Sequence, residues 1–132
     1  MHPIPRSVIN KIVNSGCLQV TSVNNEELAL VNKLTIKYQN LSFYDLVALA
    51  IAIKREWVLL TGDGLLRNAA VNEKIECHGS IWIYDQLIRG KKISESCYNQ
   101  CLLKLLDLVK QGKRRLPLEE LVKRINNNYS NK

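Results

Sequence analysis

The chain has 132 residues, of which 46% are hydrophobic and 23% are charged, as is typical of one soluble globular domain that can bury a core. No apolar run approaches the roughly 20 residues that span a membrane. Residues 1–6 contain no apolar stretch that could serve as a signal peptide. We therefore expect a cytoplasmic protein with no membrane partner.

The net charge of +7 is concentrated in the last third of the chain. Residues 1–88 hold eight Lys or Arg and eight Asp or Glu, whereas residues 89–132 hold eleven and four. A basic tail on a neutral body favours an anionic partner. Its cations either contact nucleic-acid phosphates or complement the negative end of a helix dipole. The densest group is Lys110, Lys113, Arg114 and Arg115.

The four cysteines are Cys17, Cys77, Cys97 and Cys101, and none forms a Cys-x-x-Cys pair. The favoured interpretation is small apolar core residues in a reducing compartment. The alternative is a zinc site made by the last three cysteines and His78, although their spacing matches no common zinc module.

The N-terminal part of the chain predicts a helix, a strand and a second helix. Residues 5–15 place apolar side chains on one helical face, and Gly16 follows as a stop signal. The apolar pattern of residues 17–23 predicts a short strand. Asn24 or Asn25 is expected to cap the next helix. The buried face of that helix would be Leu28, Leu30, Val31, Leu34 and Tyr38.

The clearest unit begins at Ser42, which forms a Ser-x-x-Asp capping box with Asp45. The following helix is apolar nearly all round through residues 46–53, so we expect it to be buried on more than one side. Residues 57–61 then form a continuous apolar run, which predicts a strand covered on both faces. Trp57 and Trp82 are both expected to lie in the core.

The rest of the chain alternates helix and strand before it becomes wholly helical. The predicted elements are a helix over 65–73, a strand over 75–78, and helices from Ser80 to about Arg89, over 94–110 and from Pro117 onward. This order predicts an α/β fold with a small parallel sheet and right-handed crossovers. We expect an α/β domain over residues 1–111 and a basic helical extension over 112–132.

Two acids are predicted to meet at one edge of this sheet. Ligands of open parallel sheets bind beyond the carboxyl ends of the strands, and Asp63 follows the strand 57–61. Asp45 begins the preceding helix, whose start should face the same edge. Paired carboxylates suit Mg²⁺ or Mn²⁺, which can orient a water against a phosphate. The alternatives are that Asp45 only caps its helix and that Asp63 is only a turn residue.

Three stretches carry a resemblance to a known family: Ser-Phe-Tyr-Asp at 42–45, Leu-Thr-Gly-Asp-Gly at 60–64 and Cys-His-Gly-Ser at 77–80. In this order and spacing they resemble the C-terminal half of a PIN domain. PIN domains are metal-dependent ribonucleases, and many are toxins of bacterial toxin–antitoxin modules. The resemblance implies a three-layer α/β/α fold, an Mg²⁺ or Mn²⁺ cofactor, an RNA substrate and an antitoxin protein as partner.

The resemblance also assigns roles to individual residues. It implies that Asp45 and Asp63 match the third and fourth acids of the family, as catalytic residues and metal ligands. Ser42 and Thr61 would support these ligands through their hydroxyl groups. Arg67 would lie near the active-site groove. Together with Lys113, Arg114 and Arg115, which the charge of the tail rather than the resemblance suggests, Arg67 would bind nucleic acid.

The chain departs from the family pattern at its start. It has no early strand that carries an acid, so two of the four family acids are missing, and the strand 17–23 would be separated from the other strands by a gap of two. Either another chain completes the sheet, as an N-terminal fragment or a homo-oligomer, or the remaining strands close up into a truncated PIN-like domain. We expect little or no nuclease activity from this chain alone. The alternatives are a non-catalytic relic that binds protein or RNA and a helical adaptor whose acids are structural.

Overall fold

The computed structural model describes residues 4–130, and within them the chain forms seven helices and two short strands. The strands are parallel, with Leu59 opposite Cys77 and Leu60 opposite His78. The predicted α/β class with a small parallel sheet is confirmed, although the fold is mostly helical. Among the described residues, no helix is long and apolar enough to cross a membrane. The elements are α1 (Arg6–Asn14), α2 (Asn25–Lys37), α3 (Phe43–Arg55), β1 (Leu59–Leu60), α4 (Gly64–Asn72), β2 (Cys77–His78), α5 (Ser80–Arg89), α6 (Glu95–Lys110) and α7 (Leu118–Ser130).

Side-chain caps explain where most of the central helices begin. Asn24 and Glu27 form a capping box at α2, and Ser42 and Asp45 form the predicted one at α3. Each box satisfies amide groups that have no partner inside the helix. The predicted cap at Ser80 is wrong by one residue, because α5 starts at Ser80 and its N-cap, Gly79, has no side chain.

A first core lies between α2, α3, β1 and α4. Helix α3 buries four side chains and partly buries Val47, Ala48 and Ile53, which confirms that it is covered on more than one side. The only buried charged side chain among the described residues is Glu27, which accepts hydrogen bonds from Arg55 of α3 at 2.7 and 3.0 Å. Those hydrogen bonds hold the pKa of Glu27 below its usual value. The fully buried members of this core are Val31, Leu34, Leu46, Leu49, Ala50, Ala52, Leu59, Leu66, Ala69 and Ala70.

A second core lies between α5, α6 and α7. Its buried residues are Ile81, Tyr98, Leu102 and Leu121. Leu121 belongs to α7 and is completely buried, so the last helix is packed into the fold and does not trail from it. The proposed boundary at residue 111 remains a prediction.

The predicted strands are shorter than expected or do not form. Strand β1 covers two residues of the predicted 57–61, and β2 covers two of 75–78. Residues 17–23 form no strand, and Val20 is 84% exposed. The prediction of that strand is wrong because a strand needs a neighbour for its backbone groups, and no described strand lies beside it. Among the described residues only β1 and β2 pair, so residues 17–23 do not close up with them into one sheet.

Several residues that were expected in the core lie at the surface. Trp57 is 50% exposed, and Val58 and Leu60 are exposed beside it, so the prediction of a strand covered on both faces is wrong. Trp82 is half-buried and stacks on His78 with ring centroids 4.3 Å apart. The surface positions also include two cysteines, Cys17 and Cys97.

Candidate functional site

Asp63 is held at the carboxyl end of β1 by its own turn. Its Oδ1 accepts a hydrogen bond from the Leu66 amide at 2.9 Å, which makes Asp63 the N-cap of α4. Its own amide donates to Thr61 Oγ1 at 3.0 Å. Asp63 is exposed, and its Oδ2 has no hydrogen-bond partner among the described residues.

Asp45 occupies the first turn of α3 and is half-buried. Its Oδ2 accepts hydrogen bonds from the Ser42 hydroxyl at 2.6 Å and the Ser42 amide at 3.3 Å. Within residues 4–130 its Oδ1 accepts none. The Ser42 hydroxyl therefore contacts the Asp45 carboxylate, whereas the Thr61 hydroxyl contacts only the backbone amide of Asp63. Their support of metal ligands remains a prediction.

These two carboxylates could supply only part of the ligands that a metal site needs. Their oxygen atoms suit Mg²⁺ or Mn²⁺, but Mg²⁺ prefers a six-coordinate oxygen shell. In the part of the chain that the structure describes, no group of three or more His, Cys, Asp or Glu side chains could hold a metal ion. This finding also leaves the alternative zinc site of Cys77, His78, Cys97 and Cys101 unformed. The convergence of Asp45 and Asp63 on one ion remains a prediction.

A cleft of about 780 Å³ opens beside the carboxyl ends of both strands. Gly62, directly before Asp63, and Gly79, directly after β2, both line it. Its walls bring together residues that are far apart in the sequence, and they include four arginines and one glutamate, so the cleft is positively charged. Three of the four predicted nucleic-acid-binding residues, Arg67, Arg114 and Arg115, line the cleft, whereas Lys113 lies outside it.

Arg67 is built into the end of the sheet. Its Nη2 donates a hydrogen bond to the carbonyl oxygen of Thr61 at 3.2 Å, while its Nε is buried and has no partner among the described residues. A buried donor without a partner is costly. A Cβ at residue 79 would lie 2.8 Å from Nη2, so any other residue there would require the end of the Arg67 side chain to shift.

The start of α5 adds a second feature that favours anions. Ser80, Ile81 and Trp82 line the same cleft, and no side chain caps this helix. The first amide groups of a helix point outward at the positive end of its dipole, where phosphates and carboxylates bind. The cleft therefore combines a helix N-terminus with arginine side chains.

An ion-pair network fixes the wall that α7 contributes. Arg124 contacts Asp85 of α5 at 2.7 Å and Glu120 at 2.6 Å, and the Tyr98 hydroxyl donates to Asp85 at 2.7 Å. Burial alone would raise the pKa of Asp85, but the hydrogen bonds from Arg124 and Tyr98 hold it below its usual value. Burial and the Asp85 hydrogen bond raise the pKa of Tyr98 to about 12.

Sequence reasoning missed Gly79, Asp85 and Arg124. Asp85 and Arg124 are 39 residues apart, and no local motif connects them. Gly79 was recognised only as the end of a strand, although its place between a strand and a helix start is a signal for close approach to a ligand or side chain.

Comparison with protein families supports the resemblance at the level of the domain. The sequence model of the DUF3368 PIN-domain family matches residues 3–127. This match covers almost the whole chain, so the chain belongs to this PIN-domain family. No curated protein and no solved structure matches it.

Proposed function

Because the chain belongs to a PIN-domain family, we propose that it is a metal-dependent endoribonuclease, or the larger part of one, that hydrolyses RNA phosphodiesters in the cytoplasm. Asp45 and Asp63 are the catalytic carboxylates in this proposal. They would ligate Mg²⁺ or Mn²⁺, which supplies the activated water and stabilises charge on the phosphate. Ser42 donates a hydrogen bond to the Asp45 carboxylate, and Thr61 accepts one from the backbone amide of Asp63.

One observation carries the proposal: Arg67, Arg114 and Arg115 line a single cleft that also includes the residue before Asp63. Arginine binds phosphate through two parallel N–H groups, and clusters of arginine recognise the backbone of nucleic acids. An RNA strand bound in this cleft passes close to Asp63. Among the described residues the cleft wall has one acid, Glu120, which contacts Arg124 at 2.6 Å, so the lining side chains carry four positive charges and one negative charge.

Two carboxylates are a weak Mg²⁺ site on their own, because the ion needs further fixed oxygens. We therefore expect slow cleavage or none by the isolated chain. A second candidate function is RNA binding without cleavage. The arginine cleft supports it, and residues 4–130 contain no cluster of three or more side chains that could hold a metal ion. Only activity separates the two.

The binding half of the proposal is tested with a fluorescent single-stranded RNA and the full chain. Changing Arg67, Arg114 and Arg115 together to Gln should reduce affinity and lower the salt slope of log Kd by roughly 2, since each phosphate contact contributes about 0.7. The control changes three cations outside the cleft, Lys33, Lys104 and Lys123, and should reduce affinity much less. Equal losses in both triple variants would contradict a cleft-based site.

The catalytic half is tested with Mg²⁺ and Mn²⁺ titrations on the same RNA. Asp63→Asn keeps an N-cap oxygen, because Asn caps helices as well as Asp does, so the fold should survive while cleavage disappears. Asp107→Asn on α6 is the matched control and should keep any cleavage. Binding without metal-dependent cleavage supports the RNA-binding module. Cleavage that persists in Asp63→Asn rules out the proposed carboxylate.

The biological setting proposed here is a toxin that an antitoxin protein restrains, as the family resemblance implies. An antitoxin segment that covers the cleft would block access to Arg67 and Asp63. The expected result is growth arrest when the chain is expressed in bacteria, and normal growth when Asp63→Asn is expressed at the same level. Arrest by both variants would show that toxicity does not depend on cleavage.

A further inference from the structure

The first 20 described residues form an N-terminal arm, residues 4–23, that the body of the protein does not cover. None of the residues of α1 is buried, although the helix is amphipathic. A nine-residue helix is marginal in water without packing of its apolar face. The exposed apolar side chains of the arm are Ile4, Val8, Ile9, Ile12, Leu18 and Val20.

The second half of the arm has unused backbone groups. Residues 17–23 belong to no strand and make no backbone–backbone hydrogen bonds among the described residues. Only the end of the arm is hydrogen-bonded to the body among the described residues: Arg55 donates to Thr21 Oγ1 at 2.7 Å and to the Ser22 carbonyl at 3.0 Å. Everything before Thr21 therefore extends from a fixed point on the body.

Strand β1 presents a matching edge. The amide of Leu59 donates to the carbonyl of Glu76, just before β2, and the amide of Thr61 donates to the carbonyl of His78, both at 2.9 Å. The backbone groups of Val58 and Leu60 therefore point to the other side. No described strand lies there. The side chains along this edge, Trp57, Val58 and Leu60, are 50%, 45% and 51% exposed. Parallel sheets are normally covered, and open edges recruit strands.

The charges of the arm and the edge are complementary. Residues 4–23 carry Arg6 and Lys11 and no Asp or Glu. A groove of about 400 Å³ at the start of β1 is lined by apolar side chains, three glutamates and one lysine. Two of these glutamates, Glu56 and Glu76, are exposed. A cationic amphipathic helix fits an apolar groove with an acidic rim.

We propose that the occupant of this edge is a second copy of the chain, in a two-fold dimer that exchanges N-terminal arms. Residues 17–20 of each copy pair with the free edge of β1 in the other copy. Helix α1 then packs its apolar face over Val58 and Leu60, which share one face of the strand, with Arg6 and Lys11 toward the acidic rim. Arm exchange is a low-cost route to a symmetric dimer. This proposal does not depend on the proposed nuclease function.

The first test is the mass of the full chain in solution, measured by sedimentation equilibrium over a range of concentrations. We expect a dimer. Val20→Asp in the arm and Leu60→Asp at the edge should each raise the dimer Kd by roughly a hundredfold or more, because each would bury an unpaired carboxylate. Ile36→Asp is the control: Ile36 is 77% exposed on α2, and its change should leave the dimer intact.

The second test mixes the two variants. A Val20→Asp chain keeps an intact edge and a Leu60→Asp chain keeps an intact arm, so the mixture should form heterodimers at concentrations where each variant alone is monomeric. Circular dichroism checks that both fold, and Val58→Asp replaces Leu60→Asp if the latter does not. A monomeric full chain, a dimer that both variants leave unchanged, absence of rescue on mixing, or a different polypeptide bound at β1 would each overturn the proposal.

Discussion

The contact between Asp85 and Arg124 joins α7 to α5, and replacing Asp85 by Asn should loosen that junction. Arg124 Nε and Nη2 contact the two carboxylate oxygens at 3.0 and 2.7 Å, and the Tyr98 hydroxyl donates at 2.7 Å. Asn keeps the shape of the side chain but loses its charge and one acceptor. Its amide group would then face a donor of Arg124 or Tyr98.

The expected cost is about 2 kcal/mol of unfolding free energy. Hydrogen bonds to charged groups contribute roughly 1.5–3 kcal/mol, and the Asp85 side chain is only 15% exposed. The lower part of that range applies because the Arg124 side chain is 26% exposed and exposure to solvent weakens ion pairs. A loss of this size lowers the urea midpoint by roughly 1 M.

The loss should depend on pH in one direction. The pKa of Asp85 is lower in the folded protein than in the unfolded chain, so its stabilising effect is fully present above the unfolded pKa of about 3.9. That effect is lost as the pH falls through the folded pKa. The difference between wild type and Asp85→Asn should therefore be constant near neutral pH and shrink in acid.

The assay is urea unfolding followed by circular dichroism at pH 7 and at several acidic values. The control is Asp107→Asn, because Asp107 is exposed and, among the described residues, its side chain accepts a hydrogen bond only from Gln111, just after the end of α6. That change should cost less than about 0.5 kcal/mol. The reasoning is refuted if both variants lose the same stability at pH 7, or if the Asp85→Asn difference does not fall in acid.

Three further outcomes follow from the packing and the cleft. Leu49→Ala should cost roughly 3–5 kcal/mol in urea unfolding, because Leu49 is completely buried; a cost below about 1 kcal/mol would contradict the described core. Gly79→Ala should weaken RNA binding less than Arg67→Gln does, because its Cβ would lie 2.8 Å from Arg67 Nη2 and only the end of this flexible side chain has to shift; a loss as large as that of Arg67→Gln would contradict this prediction. Because the folded pKa of Tyr98 is raised to about 12, stability present below the unfolded value of about 10 is lost as the pH rises. Tyr98→Phe should remove that alkaline loss, as measured by thermal unfolding across this range.

The sequence was most informative where a few neighbouring residues decide the structure. The boxes that cap α2 and α3 and the Asp63 turn are interactions between residues three apart, which can be recognised in the sequence itself. The apolar repeat of α3 also predicted its burial correctly. These local signals sufficed to place Asp45 and Asp63 at helix starts and to recognise the PIN-domain family.

The predictions were wrong for segments that need a neighbouring strand which the described residues do not provide. Residues 17–23 and 57–61 have the composition of strands, but their backbone groups need partners that local sequence cannot supply. Trp57 is apolar enough for a core and is still half exposed, because no described element packs over the edge of β1. Composition predicts whether a segment favours a strand. It does not establish whether another element packs over that strand.

Most helix starts, the acidic turns and the family could be read from the sequence, because these depend on bonds within one helical turn or on motifs of a few residues. The cleft shared by Arg67 and Arg115, and the contact between Asp85 and Arg124 across 39 positions, exist only in the folded chain. Such contacts arise from how whole helices pack. The same packing left the N-terminal arm and the edge of β1 uncovered, and no local pattern carries that information.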